Sequence, residues 1–149
     1  MFKKIGVAAF SIALVTASFV NAPEAHAANC YGDYCSGKDP QAAGCASDAF
    51  TTVSADAGVG MLDVRWSPSC QTNWARITIY PTGAKCVLES YLDAIQEGGY
   101  TQSKTVPSTC WTYSAVSYWT PMIYSPVKRV KGKIQSYGTF TQVTETGWS

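Results

Sequence analysis

The sequence predicts a mainly β domain, a small disulfide-stabilised sandwich or barrel-like sheet with at most one or two short helices. Three observations carry that prediction. Two runs, Met61 to Trp66 and Trp74 to Tyr80, alternate apolar and polar residues with a period of two. From Tyr100 onward, short runs rich in Thr, Val, Tyr and Trp are punctuated by Pro107, Pro121 and Pro126. All 6 cysteines (Cys30, Cys35, Cys45, Cys70, Cys86 and Cys110) follow an export leader, and an even count in an exported chain reads as a set of disulfides.

The leader comes first in the chain. Lys3 and Lys4 give a positive start, Ile5 to Val20 is largely apolar, and Ala25-His26-Ala27 is the small-x-small pattern of a cleavage site. Residues 1–27 are therefore read as a secretory signal peptide and 28–149 as one domain. Ser11, Thr16, Ser18 and Asn21 interrupt the apolar run, and a membrane span needs roughly 20 continuous apolar residues. No later run is long enough to span. Ala28 and Asn29 do not make a lipoprotein box ahead of Cys30. The expected location is secreted, extracellular.

Removing 27 of the 149 residues leaves 122, and His26, the only histidine, goes with the leader. The mature chain then lacks the usual general base, the usual metal ligand and every Ser-His or Cys-His pair. Of 11 basic residues, Lys3 and Lys4 are lost; of 10 acidic residues, Glu24 is lost; nine of each remain. A flat charge balance argues against nucleic acid, whose binders carry a basic excess. A zinc site is the rival reading of the cysteines, but there is no CxxC pair and no mature histidine to complete it. No metal and no cofactor is expected. Sequence alone leaves the cysteine connectivity open.

Along the mature chain, residues 29–48 are turn-rich, with Gly32, Asp33, Ser36, Gly37, Asp39, Pro40 and Gly44. Ala49 to Ala55 is a candidate strand. Met61–Trp66 and Trp74–Tyr80 form a hairpin around the turn residues 67–73, with Trp66 opposite Ala75, Val64 opposite Ile77 and Leu62 opposite Ile79. Val64 and Ile77 are expected in the core. In residues 84–97, Val87, Tyr91 and Ile95 recur at helical spacing beside Leu88 and Leu92, and Gly98-Gly99 would end a helix. A short helix is expected there.

The run Cys30-x4-Cys35-Ser36-Gly37-Lys38-Asp39-Pro40, then Gly44-Cys45 and Asp48-Ala49, continues with Val64-Arg65-Trp66-Ser67-Pro68-x-Cys70 and Asn73-Trp74-Ala75-Arg76. Together these resemble a bacterial family known as a domain of unknown function, which includes the YjfA-like secreted proteins of bacilli. Similar domains are attached to helix-turn-helix regulators in actinomycetes. The motif-rich part spans Cys30 to Arg76. Trp66 stands where the family more often has tyrosine. The resemblance implies four core cysteines, Cys30, Cys35, Cys45 and Cys70, pairing among themselves. Cys86 and Cys110 are additions, which implies that they pair with each other. No catalytic residue is implied.

Several constellations could carry chemistry. The face of the hairpin opposite the core carries Asp63, Arg65, Trp74, Arg76 and Thr78, a candidate anion or partner site in which paired guanidiniums grip carboxylate or phosphate. Arg65, Trp74 and Arg76 are its binding residues; an ion ladder is the structural alternative. The Ser36–Pro40 stretch lacks the glycine spacing of a P-loop and reads as a pinned turn. Arg129, Lys131 and Lys133 alternate on a basic strand, either to meet an anionic cell-wall polymer or to protect a sheet edge. Glu89, Asp93 and Glu97 would line one helix face rather than oppose each other across a glycosidase cleft. Trp111, Tyr113, Tyr118 and Trp119 could stack on sugars, but packing explains them more simply. The expected function is a secreted non-enzymatic binding module for a cell-envelope component or an extracellular protein. The alternatives are a hydrolase or toxin using carboxylates, with Asp39, Asp48 and Asp63 as first candidates, and an exported structural protein.

Overall fold

The computed structural model describes residues 27–136 and 142–149. The expected leader, His26 included, lies outside them except for Ala27. Two 3-10 turns, Gly32–Cys35 and Cys45–Ser47, interrupt an otherwise irregular N-terminal segment, as its turn-rich composition predicts. The rest is β: β1 (Phe50–Asp56), β2 (Gly60–Ser67), β3 (Thr72–Ile79), β4 (Cys86–Val87), β5 (Ser90–Gln96), β6 (Thr101–Val106), β7 (Thr109–Cys110), β8 (Val116–Trp119), β9 (Ile123–Tyr124), β10 (Val130–Ser136) and β11 (Gln142–Glu145). The mainly β expectation holds.

Two antiparallel sheets face each other. The first runs β1-β2-β3-β8, with β9 also pairing β3; the second runs β11-β10-β5-β6. Alternation along each strand supplies the core between them. Leu62 and Val64 of β2, Ala75, Ile77 and Ile79 of β3, Leu92 and Ala94 of β5, and Val130 and Ile134 of β10 form one buried cluster. The sheets touch closely at Gly132, where an added Cβ would meet the Leu62 side chain at 3.4 Å and Ala75 Cβ at 3.6 Å. No helix among the described residues is long and apolar enough to cross a membrane.

The central hairpin forms with a register two residues tighter than expected. Val64 lies opposite Ala75 and Leu62 opposite Ile77, while Ser67 and Thr72 close the ladder. The turn is therefore shorter than the 67–73 connection read from sequence. A shift of two keeps every side chain on its face, so Val64 and Ile77 are fully buried as expected. At the open end, a Cβ on Gly60 would sit 2.3 Å from the Thr78 carbonyl oxygen, so only glycine fits there.

Residues 84–97 correct the helix expectation. They form β4 and β5 instead, and Ser90, Leu92, Ala94 and Gln96 are buried in strict alternation. Here β6 and β10 flank β5 on both sides, and ladder bonds on two edges override a weak helical pattern. The edge-strand account of the basic stretch is also corrected. Strand β10 is interior, paired to β5 and β11.

Three disulfides cross-link the described residues: Cys30–Cys35, Cys45–Cys70 and Cys86–Cys110. The pairing implied by the resemblance is the pairing observed.

Candidate functional site

The outer face of the β2–β3 hairpin carries the residues singled out from sequence. Cross-strand register sets Arg65 opposite Trp74 and Asp63 opposite Arg76. Arg76 donates to Asp63 Oδ2 at 2.5 Å, and Ser54 of β1 donates to Asp63 Oδ1 at 2.7 Å. Arg65 turns the other way. Its Nη1 donates to Thr51 Oγ1 at 2.8 Å, and its Nη2 donates to the Ala49 carbonyl. A bulge between Thr51 and Val53 presents these acceptors. Burial, then the like charge of Arg76, pulls the Arg65 guanidinium below its usual pKa, and Asp63 partly opposes this. Each guanidinium therefore already has partners within the chain. Trp74 is only 2 % exposed and packs with Cys30, Cys35, Cys45, Cys70, Ala43 and Met122. The N-terminal segment lies over this end of the hairpin.

The three candidate carboxylates are each committed locally. Asp39 accepts from Gln41 N at 2.8 Å, Ala42 N at 3.0 Å and Trp119 Nε1 at 2.9 Å. Burial disfavours its ionised form, but these bonds and nearby Lys104 outweigh that and hold its pKa below the ordinary value. Asp48 accepts from Ser67 Oγ at 2.6 Å and Ser69 N at 2.8 Å, tying the N-terminal segment to the β2–β3 turn. Burial again works against ionisation, and the Ser67 and Ser69 bonds again prevail. Asp63 serves Arg76 and Ser54. A general acid needs the opposite environment, one that raises the pKa of a carboxyl facing a second one.

Glu89, Asp93 and Glu97 share no helix face, because residues 86–87 and 90–96 are strands. Asp93 accepts from Ser103 Oγ at 2.6 Å, and Glu97 pairs with Arg129 at 2.5 Å. Lys131 meets Glu145 at 2.7 Å, with the Trp148 ring 5.2 Å from its Nζ, and Lys133 lies opposite Asp93 in register. The basic strand is thus largely matched by acidic neighbours.

The aromatic residues divide, against the expectation that packing accounts for them all. Tyr118 is half-buried, with its hydroxyl 3.2 Å from Thr109 Oγ1, and Trp119 is half-buried against Asp39. Trp111 is 64 % exposed and Tyr113 is 88 % exposed. Trp111 adopts φ 58°, a left-handed backbone that costs a non-glycine residue about 1–2 kcal/mol. The loop holding them is braced. Cys110 is bonded to Cys86. Thr82 N donates to Thr112 Oγ1 at 3.2 Å, Thr112 N donates to Thr82 Oγ1 at 2.9 Å, and Gly83 N donates to the Thr112 carbonyl at 3.0 Å. Beside this brace, Tyr80, Pro81, Thr82 and Lys85 line an open cleft of about 300 Å³ with Gly58 and Val59. Tyr80 is 41 % exposed. Sequence reasoning placed Tyr80 only as the end of a strand and did not single out Thr82 or Lys85. The available signal was a tryptophan directly after a cysteine in a stretch without period-two alternation.

The profile of a family described as protein of unknown function (DUF2690) matches residues 33–132, two thirds of the chain. No curated protein and no solved structure matches the chain.

Proposed function

The chain belongs to the DUF2690 family of proteins of unknown function, and from that premise we propose that it is a secreted, non-enzymatic binding module. It engages a cell-envelope component or another extracellular protein through the braced loop of Trp111 and Tyr113. Placement in the secreted, YjfA-like part of the family belongs to the same proposal, as does the division into a leader at 1–27 and a domain at 28–149. Three disulfides and the leader pattern support the location.

The single observation carrying the binding role is Trp111, an exposed indole on a left-handed backbone in a cross-linked loop. Folding alone gains nothing from strain that holds an apolar ring in water, whereas strain held by a rigid frame is a recurrent mark of functional positions. Tryptophan and tyrosine are the side chains that most often dominate binding energy, since they offer large rigid contact area at small entropic cost. The committed states of Asp39, Asp48 and Asp63 favour binding over carboxylate hydrolysis.

A pull-down from the cell envelope and secretome with oxidised mature protein tests the reading. Trp111→Ala/Tyr113→Ala should weaken capture by about 30-fold or more, the effect of removing a hot spot, without loss of thermal stability. Arg65→Ala/Arg76→Ala should capture normally. The reverse pattern would move the binding surface to the arginine face and sink the proposal.

A further inference from the structure

The N-terminal segment brings Cys30, Cys35 and Cys45 to the β2–β3 turn, which carries Cys70. The four sulfurs lie within 4.8 Å of one another, and all four residues are buried. The Cys30 and Cys45 sulfurs belong to different bridges yet stand 3.7 Å apart. Four thiolates about 2.3 Å from a central zinc ion define a tetrahedron with edges of about 3.8 Å. The 3.7 Å between the Cys30 and Cys45 sulfurs already matches one such edge, and the other pairs between the bridges lie within 4.8 Å. We propose that, once reduced, Cys30, Cys35, Cys45 and Cys70 bind a single Zn²⁺ ion, so that the N-terminal segment is fastened to the hairpin by disulfides in an oxidising medium and by metal in a reducing one.

The surroundings suit such a site. Cys30 and Cys35 are separated by 5 in sequence, the widest spacing of common zinc loops. The side chains of Ala28, Ala43, Ala46, Ala49, Trp74 and Met122 pack around the sulfurs and carry no oxygen to compete for the ion, and the Ala43 carbonyl oxygen lies 3.9 Å from Cys45 Sγ. Ser69 Oγ lies 3.8 Å from Cys70 Sγ, in place to donate to a thiolate. A cleft of about 320 Å³ lined by Asn29, Cys30, Lys38, Asp39, Ala42 and Ala43 gives the ion a path to Cys30. It also sets the Lys38 cation beside a site that would carry net negative charge.

The chemistry balances with a dithiol as reductant. Two dithiol molecules become two disulfides and hand four electrons and four protons to the two protein bridges, giving four thiols. Zn²⁺ then displaces four protons and leaves a doubly negative tetrathiolate complex.

The test uses the mature protein with Cys86→Ser/Cys110→Ser, so that only the four-sulfur cluster carries thiols. After reduction by a dithiol, removal of the reductant and exclusion of air, the protein is titrated with Co²⁺ alone. One ion should bind per chain, with the strong thiolate charge-transfer absorption and visible bands of a tetrahedral sulfur site, and Zn²⁺ should displace it. Adding Cys30→Ser should weaken binding by more than the roughly 10–100-fold lost with an outer-shell partner. Circular dichroism guards against a folding artefact: if reduction melts the β signal, Zn²⁺ should restore it. Weak octahedral bands, no saturation at one ion, indifference to Cys30→Ser, or a reduced chain that Zn²⁺ fails to refold would each overturn the proposal.

Discussion

Trp74 lies against the Cys45–Cys70 bridge and is 2 % exposed, whereas Trp111 follows directly on the Cys86–Cys110 bridge and is 64 % exposed. The two bridges close loops of nearly equal length, with sequence separations of 25 and 24. Chain entropy alone would therefore make them equally stabilising. What differs is the company they keep. The first bridge sits in a buried cluster with Cys30, Cys35, Trp74 and Met122 and fastens a segment that has little secondary structure of its own. The second joins two short strands at the surface and fixes the loop that follows. A cross-link can thus build a core where none would form, or hold a side chain away from one.

The largest effect that separates the two regions is expected from the tryptophans. Trp74→Ala should cost about 3–5 kcal/mol, since it removes a buried indole from a packed cluster. Trp111→Ala should change stability by about 0.5 kcal/mol or less. Denaturant unfolding of both variants checks this, and equal losses would erase the distinction between the regions.

Next come the bridges. Loop entropy assigns each about 3.5 kcal/mol. Cys45→Ser/Cys70→Ser should exceed that figure, because two hydroxyls then replace packed sulfurs inside an apolar cluster. Cys86→Ser/Cys110→Ser should reach that figure or fall below it. Thermal unfolding of the two double variants gives the order directly.

The hairpin was readable in the sequence because one of its faces is core, and Leu62, Val64, Ala75, Ile77 and Ile79 alternate accordingly. Its register was not readable, because the pairing of Ser67 with Thr72 depends on a turn pinned by Cys45 and Asp48 from elsewhere in the chain. Strand β5 was misread because two of its inward positions, Ser90 and Gln96, are polar. Gln96 is accommodated by donating to the Tyr124 carbonyl at 2.8 Å, a partner 28 residues away. Likewise, the lysines of β10 suggest an edge until β11 is found beside them. At the candidate site, Arg65 and Arg76 are half-buried and Trp74 is buried; Arg76 pairs with Asp63 of β2, whereas the partners of Arg65 are Thr51 of β1 and the Ala49 carbonyl. Trp111 and Tyr113 looked like core residues because composition does not register a brace between residues 82 and 112.

The polar contacts sharpen the comparison at smaller scale. Arg76→Ala strands the Asp63 carboxylate, whose side chain is 6 % exposed, and should cost about 1–2 kcal/mol after allowance for solvent at the Arg76 end. Arg129→Ala, at the exposed pair with Glu97, should leave the melting temperature unchanged.

A pH dependence is also expected in the first region. Asp48 is held below the ordinary aspartate value of 3.8, so the unfolded chain binds its proton more readily than the folded one. Its contribution is full above that value and is lost as pH falls through the lower folded pKa. Asp48→Asn should therefore flatten the acid limb of the stability curve below about pH 4 and change little at neutral pH. An unchanged acid limb would show that the tie between Asp48 and the β2–β3 turn contributes nothing.

The central claim is that the braced aromatic loop, and not the arginine face, meets the partner. Hydrogen–deuterium exchange of the oxidised mature protein, with and without its own cell-envelope fraction, tests this most directly. Slowed exchange should appear in residues 80–85 and 111–115, while 63–66 and 74–76 stay as they were. Protection confined to 63–66 and 74–76, with the aromatic loop unaltered, would contradict the account.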